Sequence, residues 1–531
     1  MKGEGRAEVR GQRTEVRSRK SEGRGQRAWL CVILFVLAAF SANAHVGSPN
    51  VFFEGVAGRY PVHVVIRPAE VIPGLAEISV RVDAGGIERV TALPIKWNAG
   101  RKGAPPPDVA RLVPGETNLY SAELWFMEPG AQSVELEVRG SAGTGQVTIP
   151  VDAIARRVLG MPKALGVALL VLGCLLGALL LSFIGAAVRE SMLEPGLVPA
   201  PRRRWWARGA MVLGLVVITL LLWGGKRWWD AEAAEYRNNR LYRPLDATAV
   251  AQVEHGQRVL RLEINDPLFA RSPPLVPDHG KLMHLFLVRE PALDAFAHLH
   301  PIKRDRNRFE TVLPEIPAGA YRVYADVTYE TGFSDTLTAK VDVPEPPAGR
   351  DPVPSGMPVD PDDSWRVWSG VSSTRNECRL NAAYTMAWLT PERIGPNRPL
   401  TLRFQVRDSD GRAVAPDPYL GMRGHLALRN TDGSVFIHLH PGGSASMAAM
   451  QLAVLRTEGK LPLKAAFGAD EPICQLPVPS SGDERWLGGM DNPEEISFPY
   501  AFPKPGRYRL WTQVKIKGEI LTGVYEVEVG G

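Results

Sequence analysis

Over most of its length the chain alternates apolar and polar residues in short stretches, and three unbroken apolar runs interrupt that pattern. A period of two predicts half-buried β-strands. It is clear in Val62–Arg67 (VHVVIR), Ala76–Asp83 (AEISVRVD) and Ser133–Arg139 (SVELEVR), with Pro and Gly turns between them. The first apolar run, Trp29–Ser41, follows a basic stretch and precedes Ala42-Asn43-Ala44. A basic flank, a short apolar core and an A-x-A ending predict a secretory signal peptide. An uncleaved anchor helix is the alternative, and both export the residues beyond it.

The other two runs, Ala164–Val188 and Gly209–Gly225, are each long enough to cross a bilayer. Trp205, Trp206, Trp223, Trp228 and Trp229 frame the second run as an interfacial aromatic belt. Arg189, Arg202, Arg203, Arg204 and Arg208 lie between the two runs, which places the connection in the cytoplasm. The exported start independently places residues 45–160 outside. The expectation is therefore a multi-pass inner-membrane protein with both large soluble parts extracytoplasmic. The spans carry almost nothing polar beyond Ser182 and Thr219, so a pore is not expected.

Charge sharpens this picture. The chain has 62 Lys+Arg against 57 Asp+Glu, a net +5. Residues 1–28, a repetitive low-complexity leader, hold nine basic and four acidic residues and carry the whole excess. A start codon placed too early would account for such a repeat. The rest balances with 53 of each sign, so no basic surface remains to support nucleic-acid binding.

Length and turn chemistry then predict a mainly β protein: three immunoglobulin- or cupredoxin-like β-sandwich domains, with two transmembrane α-helices between the first and second. The expected boundaries are 1–44 (leader and signal peptide), 45–160 (first sandwich), 164–188 (helix), 189–208 (cytoplasmic loop), 209–225 (helix), 246–343 (second sandwich), 344–364 (Pro-rich exposed linker) and 365–531 (third sandwich). A short helix is expected over Asp230–Arg240.

The second and third domains read as diverged copies of one unit. One has Met283-His284, a turn, Phe296-Ala-His298-Leu-His300-Pro301 and then Pro317-Ala-Gly-Ala-Tyr321-Arg. The other has Met422-Arg-Gly-His425, a turn, Phe436-Ile-His438-Leu-His440-Pro441 and then Pro505-Gly-Arg-Tyr508-Arg. Alternate strand residues share a face, so His298 pairs with His300 and His438 with His440. A hairpin sets His284 and His425 on the neighbouring strands. Each copy thus offers three imidazoles to one ion, copper first and zinc as the alternative. Met283, Met422 and Met447 are weaker candidates as soft ligands. The competing reading is a strand edge ended by proline.

His45 becomes the first mature residue if cleavage follows Ala44, and its amine and imidazole could then chelate Cu(II), with His63 the remaining candidate in that domain. Cys378 and Cys474 are the exported cysteines and are expected to bridge, with two buried thiols as the alternative. A cupin site is disfavoured, because the stretch Gly442–Met450 after the second HxH holds no Glu and neither Pro-x-Gly-x-Tyr-Arg segment carries a His. No nucleophile elbow, Walker loop, dinucleotide fingerprint or HExxH motif is present, so no enzyme activity is expected.

The stretches Asp408–Pro441 and His279–Pro301, with both Pro-x-Gly-x-Tyr strands, resemble YtkA-like or FixH-like secreted β-sandwich domains. That resemblance implies a metal-related or respiratory-assembly setting. The start His45-Val-Gly-Ser48-Pro49 resembles the mature start of CopC-type periplasmic copper carriers. The layout of sandwich, two helices and sandwich is similar to the sandwich-bearing component of particulate methane monooxygenase, in architecture alone. The functional expectation is copper handling, delivery or sensing beside a membrane metalloenzyme or metal transporter. The alternative is a structural protein whose sandwiches dock a membrane complex.

Overall fold

A computed structural model describes residues 50–194, 196–347, 359–368, 373–374, 376–390, 393–477 and 492–530. The leader, the signal segment and His45 lie outside the described residues. The rest is mainly β, in several sheets, with two long apolar helices.

The first strand set runs from Val51–Ala57 to Gly143–Ala153 as one eight-stranded sheet. Its strand Asp108–Leu112 pairs with Leu119–Phe126 on one side and Ile87–Lys96 on the other. The sheet therefore folds over on itself. Alternate residues such as Val64, Ile78, Leu124, Leu136 and Ile149 meet in one core.

The chain then leaves for the helices α1 (Lys163–Glu190) and α2 (Pro201–Glu235). They pack closely where small residues allow it: a Cβ on Gly185 would stand 2.7 Å from Met211 Sδ. Their Leu, Val and Trp side chains are otherwise exposed, and their apolar windows average hydropathies of 2.8 and 1.9. Two boundaries differ from expectation. The arginines at 202–208 belong to the first turns of α2 rather than to a loop, because Pro201 starts the helix and its neighbours are good helix formers. The short helix expected at Asp230–Arg240 is a continuation of α2 that ends in a π-turn, Tyr236–Arg240. Beyond it, Leu241 bridges to Ala155, and Tyr242 N–H donates to Ala155 O at 2.7 Å. The chain thus returns beside the point where it left.

The second and third strand sets repeat one plan. The second joins Gly319–Tyr329, His284–Arg289 and Ala295–Leu299 in one sheet. The third joins Gly506–Ile516, His425–Asn430 and Phe436–Leu439. Each of these sheets is buried on both faces. Leu285, Leu287 and Leu299 fill the core of the second set, and Leu426, Leu428 and Leu439 that of the third. The alternate residues Phe286, Val288, Phe296, Ala427 and Phe436 form a separate core where the two sheets face each other. Phe296 stacks on Trp511 (4.8 Å, 9°) and Tyr324 on Phe436 (3.8 Å, 2°).

Three further expectations are corrected by the strand pairing and packing. The strand Ser364–Val367, expected to open the third unit, pairs with Ala295–Leu299 of the second. The end of the expected exposed linker is folded in: Lys281 Nζ reaches both Asp360 carboxylate oxygens at 2.6 Å. Cys378 and Cys474 do not bridge. Cys378 packs in the third set's core and Cys474 under Val276, Ala448 and Leu452, because their segments join different cores.

A helix, α3 (Met447–Thr457), follows the second HxH segment and knits the three sets together. Its Arg456 donates to the carbonyls of Glu330 and Thr331 and lies over the Trp97 ring. Just before it, the first strand of the chain pairs with Gly443. A Cβ on Gly443 would stand 2.0 Å from Phe52 O, and its φ of 142° also requires glycine.

Candidate metal centre

The hairpin register sets the histidines. Leu285 pairs with Leu299 and Leu426 with Leu439, so one residue further out His284 lies across from His300, and His425 across from His440. The HxH side chains turn away from their own leucine cores, onto the face shared by the two sheets. The two expected triads are therefore not separate sites. Seven of the ten histidines meet in one buried cluster: His279, His284, His298, His300, His425, His438 and His440. Each keeps 7% or less of its surface exposed.

Two three-histidine sets stand out. His284, His298 and His300 each present a nitrogen within 4.8 Å of the others, as do His279, His425 and His440. His438 lies between, its ring 4.4 Å from His440, 5.3 Å from His425 and 5.5 Å from His284.

His279 belongs to neither expected triad. It sits at φ 53° in the turn Asp278–Lys281, one residue of a tight backbone bridge. Its signal in the sequence is an ungapped match between copies, Asp278-His-Gly-Lys-Leu-Met-His284 against Tyr419-Leu-Gly-Met-Arg-Gly-His425. The same turn forms at Tyr419–Met422. The His279 ring crosses to the other copy's histidines, 5.4 Å from His425 and 5.1 Å from His440.

The outer nitrogens explain the orientation of the rings. His284 Nε2 faces the Asp278 carbonyl at 3.2 Å, and His298 Nδ1 faces Gln513 Oε1 at 2.9 Å. Gln513 is held in that orientation by donating its amide to Ser364 Oγ. Both partners can only accept, so each neutral ring spends its one proton outward. His284 Nδ1 and His298 Nε2 then face each other at 3.0 Å with two lone pairs and no proton. That spacing is close to the ~3.3 Å edge of a tetrahedral site with bonds of about 2.0 Å.

The same logic holds elsewhere. His300 Nδ1 donates to Asp363 Oδ1 at 3.0 Å, His440 Nδ1 to Ala445 O at 3.1 Å, and His438 Nδ1 lies 3.4 Å from Asp326 Oδ2. The Nε2 atoms of His300, His438 and His440 have no hydrogen-bond partner among the described residues, nor has either nitrogen of His425. His279 has only a loose backbone contact, at Leu420. Leaving one such buried group unmet costs about 1–3 kcal/mol.

Burial, reinforced by the neighbouring imidazoles, drives His284, His298, His425 and His438 well below the usual histidine range. It holds His279 and His440 at about 4. Neutral, lone-pair-bearing imidazoles are the form that binds metal. The donor set is nitrogen, with carboxylate and carbonyl oxygens behind it, and it suits copper or zinc rather than calcium or magnesium.

Two cavities reach the cluster. One, of about 150 Å³, is lined by Asp152, Asp278, Asp326, Asp335, His284, His438 and His440. Burial, with repulsion from neighbouring carboxylates, raises Asp152 to about 8 and Asp326 to about 7, and burial alone raises Asp335 to about 6 and also raises Asp278. The other cavity, of about 500 Å³, is lined by Met422, Met447 and Met450 and also touches His440. Met283, the third methionine expected near the site, is instead packed in the second set's core, because strand alternation turns it away from His284. His63 is not part of the cluster: its ring pairs with Asp83 at 2.9 Å in the first set.

No family model matches the chain, and no curated protein matches it. Among solved structures it is similar to an engineered protein at 18% identity, over 18% of this chain and 20% of that one, with a TM-score of 0.15. It is similar to a tetra-tandem repeat from the extending region of a large adhesion protein at 9% identity, over 87% and 71%, with a TM-score of 0.15. It is also similar to the Escherichia coli adhesin FdeC at 10% identity, over 92% and 100%, with a TM-score of 0.13. The chain thus spans about a fifth of the first of these proteins and all of the last. At such TM-scores the likeness carries no argument about function.

Proposed function

We propose that this chain is a membrane-anchored metal-binding protein whose two histidine-bearing modules jointly hold copper at their interface. The observation that carries the reading is the proton arrangement. The outer nitrogens of His284, His298, His300, His438 and His440 face oxygen acceptors, and their inner nitrogens are left with lone pairs pointing into a shared, buried space. Two three-histidine sets imply two ions per chain, with zinc as the alternative metal. Methionine sulfur in the second cavity is compatible with Cu(I).

The wider frame of this proposal is three β-sandwich modules, exported by the signal segment, with two inner-membrane spans and arginines on the cytoplasmic side. The resemblance to YtkA-like and FixH-like domains supports metal handling or delivery to a membrane metalloenzyme or metal transporter. The packing alternative has one observation in its favour, the 3.0 Å contact of His284 with His298. That contact lacks a proton once both outer nitrogens are satisfied.

The test is the metal content of the full-length protein, purified in detergent and equilibrated with copper or zinc. Two ions per chain are expected, with one lost in His300→Ala and one in His440→Ala. Absence of stoichiometric metal, or full retention in both variants, overturns the reading.

A further inference from the structure

The smaller cavity is built by all three strand sets. Asp152 comes from the first, Asp278, Asp326 and Asp335 from the second, and His438 and His440 from the third. Four carboxylates line a space of about 150 Å³, and no Lys or Arg among the described residues lines it with them. Each carboxylate meets neutral donors instead. Asp152 accepts from Ser334 N–H (3.3 Å), Asp335 from Tyr242 O–H (2.7 Å), Asp326 from Thr336 O–H (2.6 Å) and Asp278 from Ala448 N–H (2.8 Å). Such a cluster is a candidate site only if something else points to a ligand. Here the imidazoles of His438 and His440, almost wholly buried, line the same cavity, and the Nε2 of each has no hydrogen-bond partner among the described residues. There is also a gradient of access. The Asp326 side chain keeps 24% of its surface accessible, and the His438 ring behind it only 4%.

We propose that this acidic chamber is the loading site of the centre, where a divalent transition-metal cation exchanges water for carboxylate oxygen before passing to His438 and His440. The inference rests on the histidine centre proposed above. It gives the first strand set, which contributes no histidine to the cluster, a part in the function through Asp152. Oxygen ligands bind a hydrated cation quickly and weakly, and imidazole nitrogens then hold copper more tightly. A carboxylate-lined, poorly screened cavity also concentrates cations at its mouth.

The experiment is stopped-flow uptake of Cu(II), supplied as its weak glycine complex, by the metal-stripped full-length protein in detergent at pH 8. Asp152→Asn and Asp335→Asn, neither in contact with a histidine, are each expected to slow uptake about threefold to tenfold at low ionic strength, with the final copper content unchanged. Asp152→Glu restores the rate. In the unaltered protein the uptake rate falls steeply as salt is added, a readout that needs no variant. Equal rates in both Asn variants, or a rate indifferent to salt, overturn the chamber and leave the histidine centre standing. A protein that takes up no copper at all overturns the centre itself, and the chamber with it.

Discussion

The two histidine-bearing copies brace each other reciprocally, and the residues that do so differ in one telling way. Asp326 and Gln513 occupy matching positions, each paired in its own sheet with the first histidine of its copy, His284 or His425. Each reaches across to the other copy: Gln513 to His298, Asp326 to His438. At this matched pair of positions His298 is therefore backed by a neutral amide and His438 by a carboxylate, while His300 has its own carboxylate in Asp363. The turns differ in the same sense. Asp278 and His279 in one copy stand where Tyr419 and Leu420 stand in the other. The half at His438 and His440 has the seventh histidine, His279, beside it, and the acidic cavity is lined by both of its histidines and by His284 of the other half. The scaffold occurs twice, and the residues behind the histidines differ between the copies.

Making the copies alike again tests that comparison, and the largest effect is expected at the turn. His279→Leu gives the first copy the residue of the second. It should remove the ion held with His425 and His440 and leave the other, which metal analysis would show as a fall from two ions to one. A variant that keeps both ions sinks the assignment of His279. Next in size is Asp326→Gln, which exchanges carboxylate for amide behind His438. Copper affinity at that half should fall about 10- to 100-fold, as measured by chelator competition, with the other half unchanged.

A smaller effect concerns pH. His279 and His440 are held near 4 when folded, against about 6.5 unfolded, so the unfolded chain binds more protons between those values. The metal-free protein should keep this contribution above about 6.5 and lose it progressively toward pH 4. The Asp152 carboxyl, raised to about 8, has the opposite sign, costing stability as pH rises from about 4 through 8. Asp152→Asn should accordingly raise the melting temperature of the metal-free protein at pH 8, a change that differential scanning calorimetry would detect. The smallest effect is none. A reducing agent should leave the melting temperature unchanged, because Cys378 and Cys474 lie in separate cores.

Much of this was legible in the residues. The repeated Phe-x-His-Leu-His-Pro segment carries its own geometry, since strand alternation forces the histidines to one face and the leucine to the other. The two long apolar helices were legible from hydropathy, though not the start of α2, because a run of arginines hides a helix from a hydropathy count. The union of the triads was not legible. It depends on which outer face each sheet buries, and Phe286, Phe296, Phe436 and Trp511 look like any other strand residues until the sheets are stacked. His279 was obscured by its place in a turn, where a lone histidine reads as solvent-exposed. The linker misled for a related reason: its acids look solvated, yet Asp363 turns back to hold His300.

The bridge between Ala155 and Leu241 has a further meaning. A hairpin whose two feet stand side by side is an insert, topologically removable from the body that carries it. Replacing the segment between those feet with a tight turn would leave every strand pairing of the three sets intact. The histidine cluster lies wholly in that body. The two long apolar helices are thus held to that body by both ends, like a bracket bolted twice to one fixture.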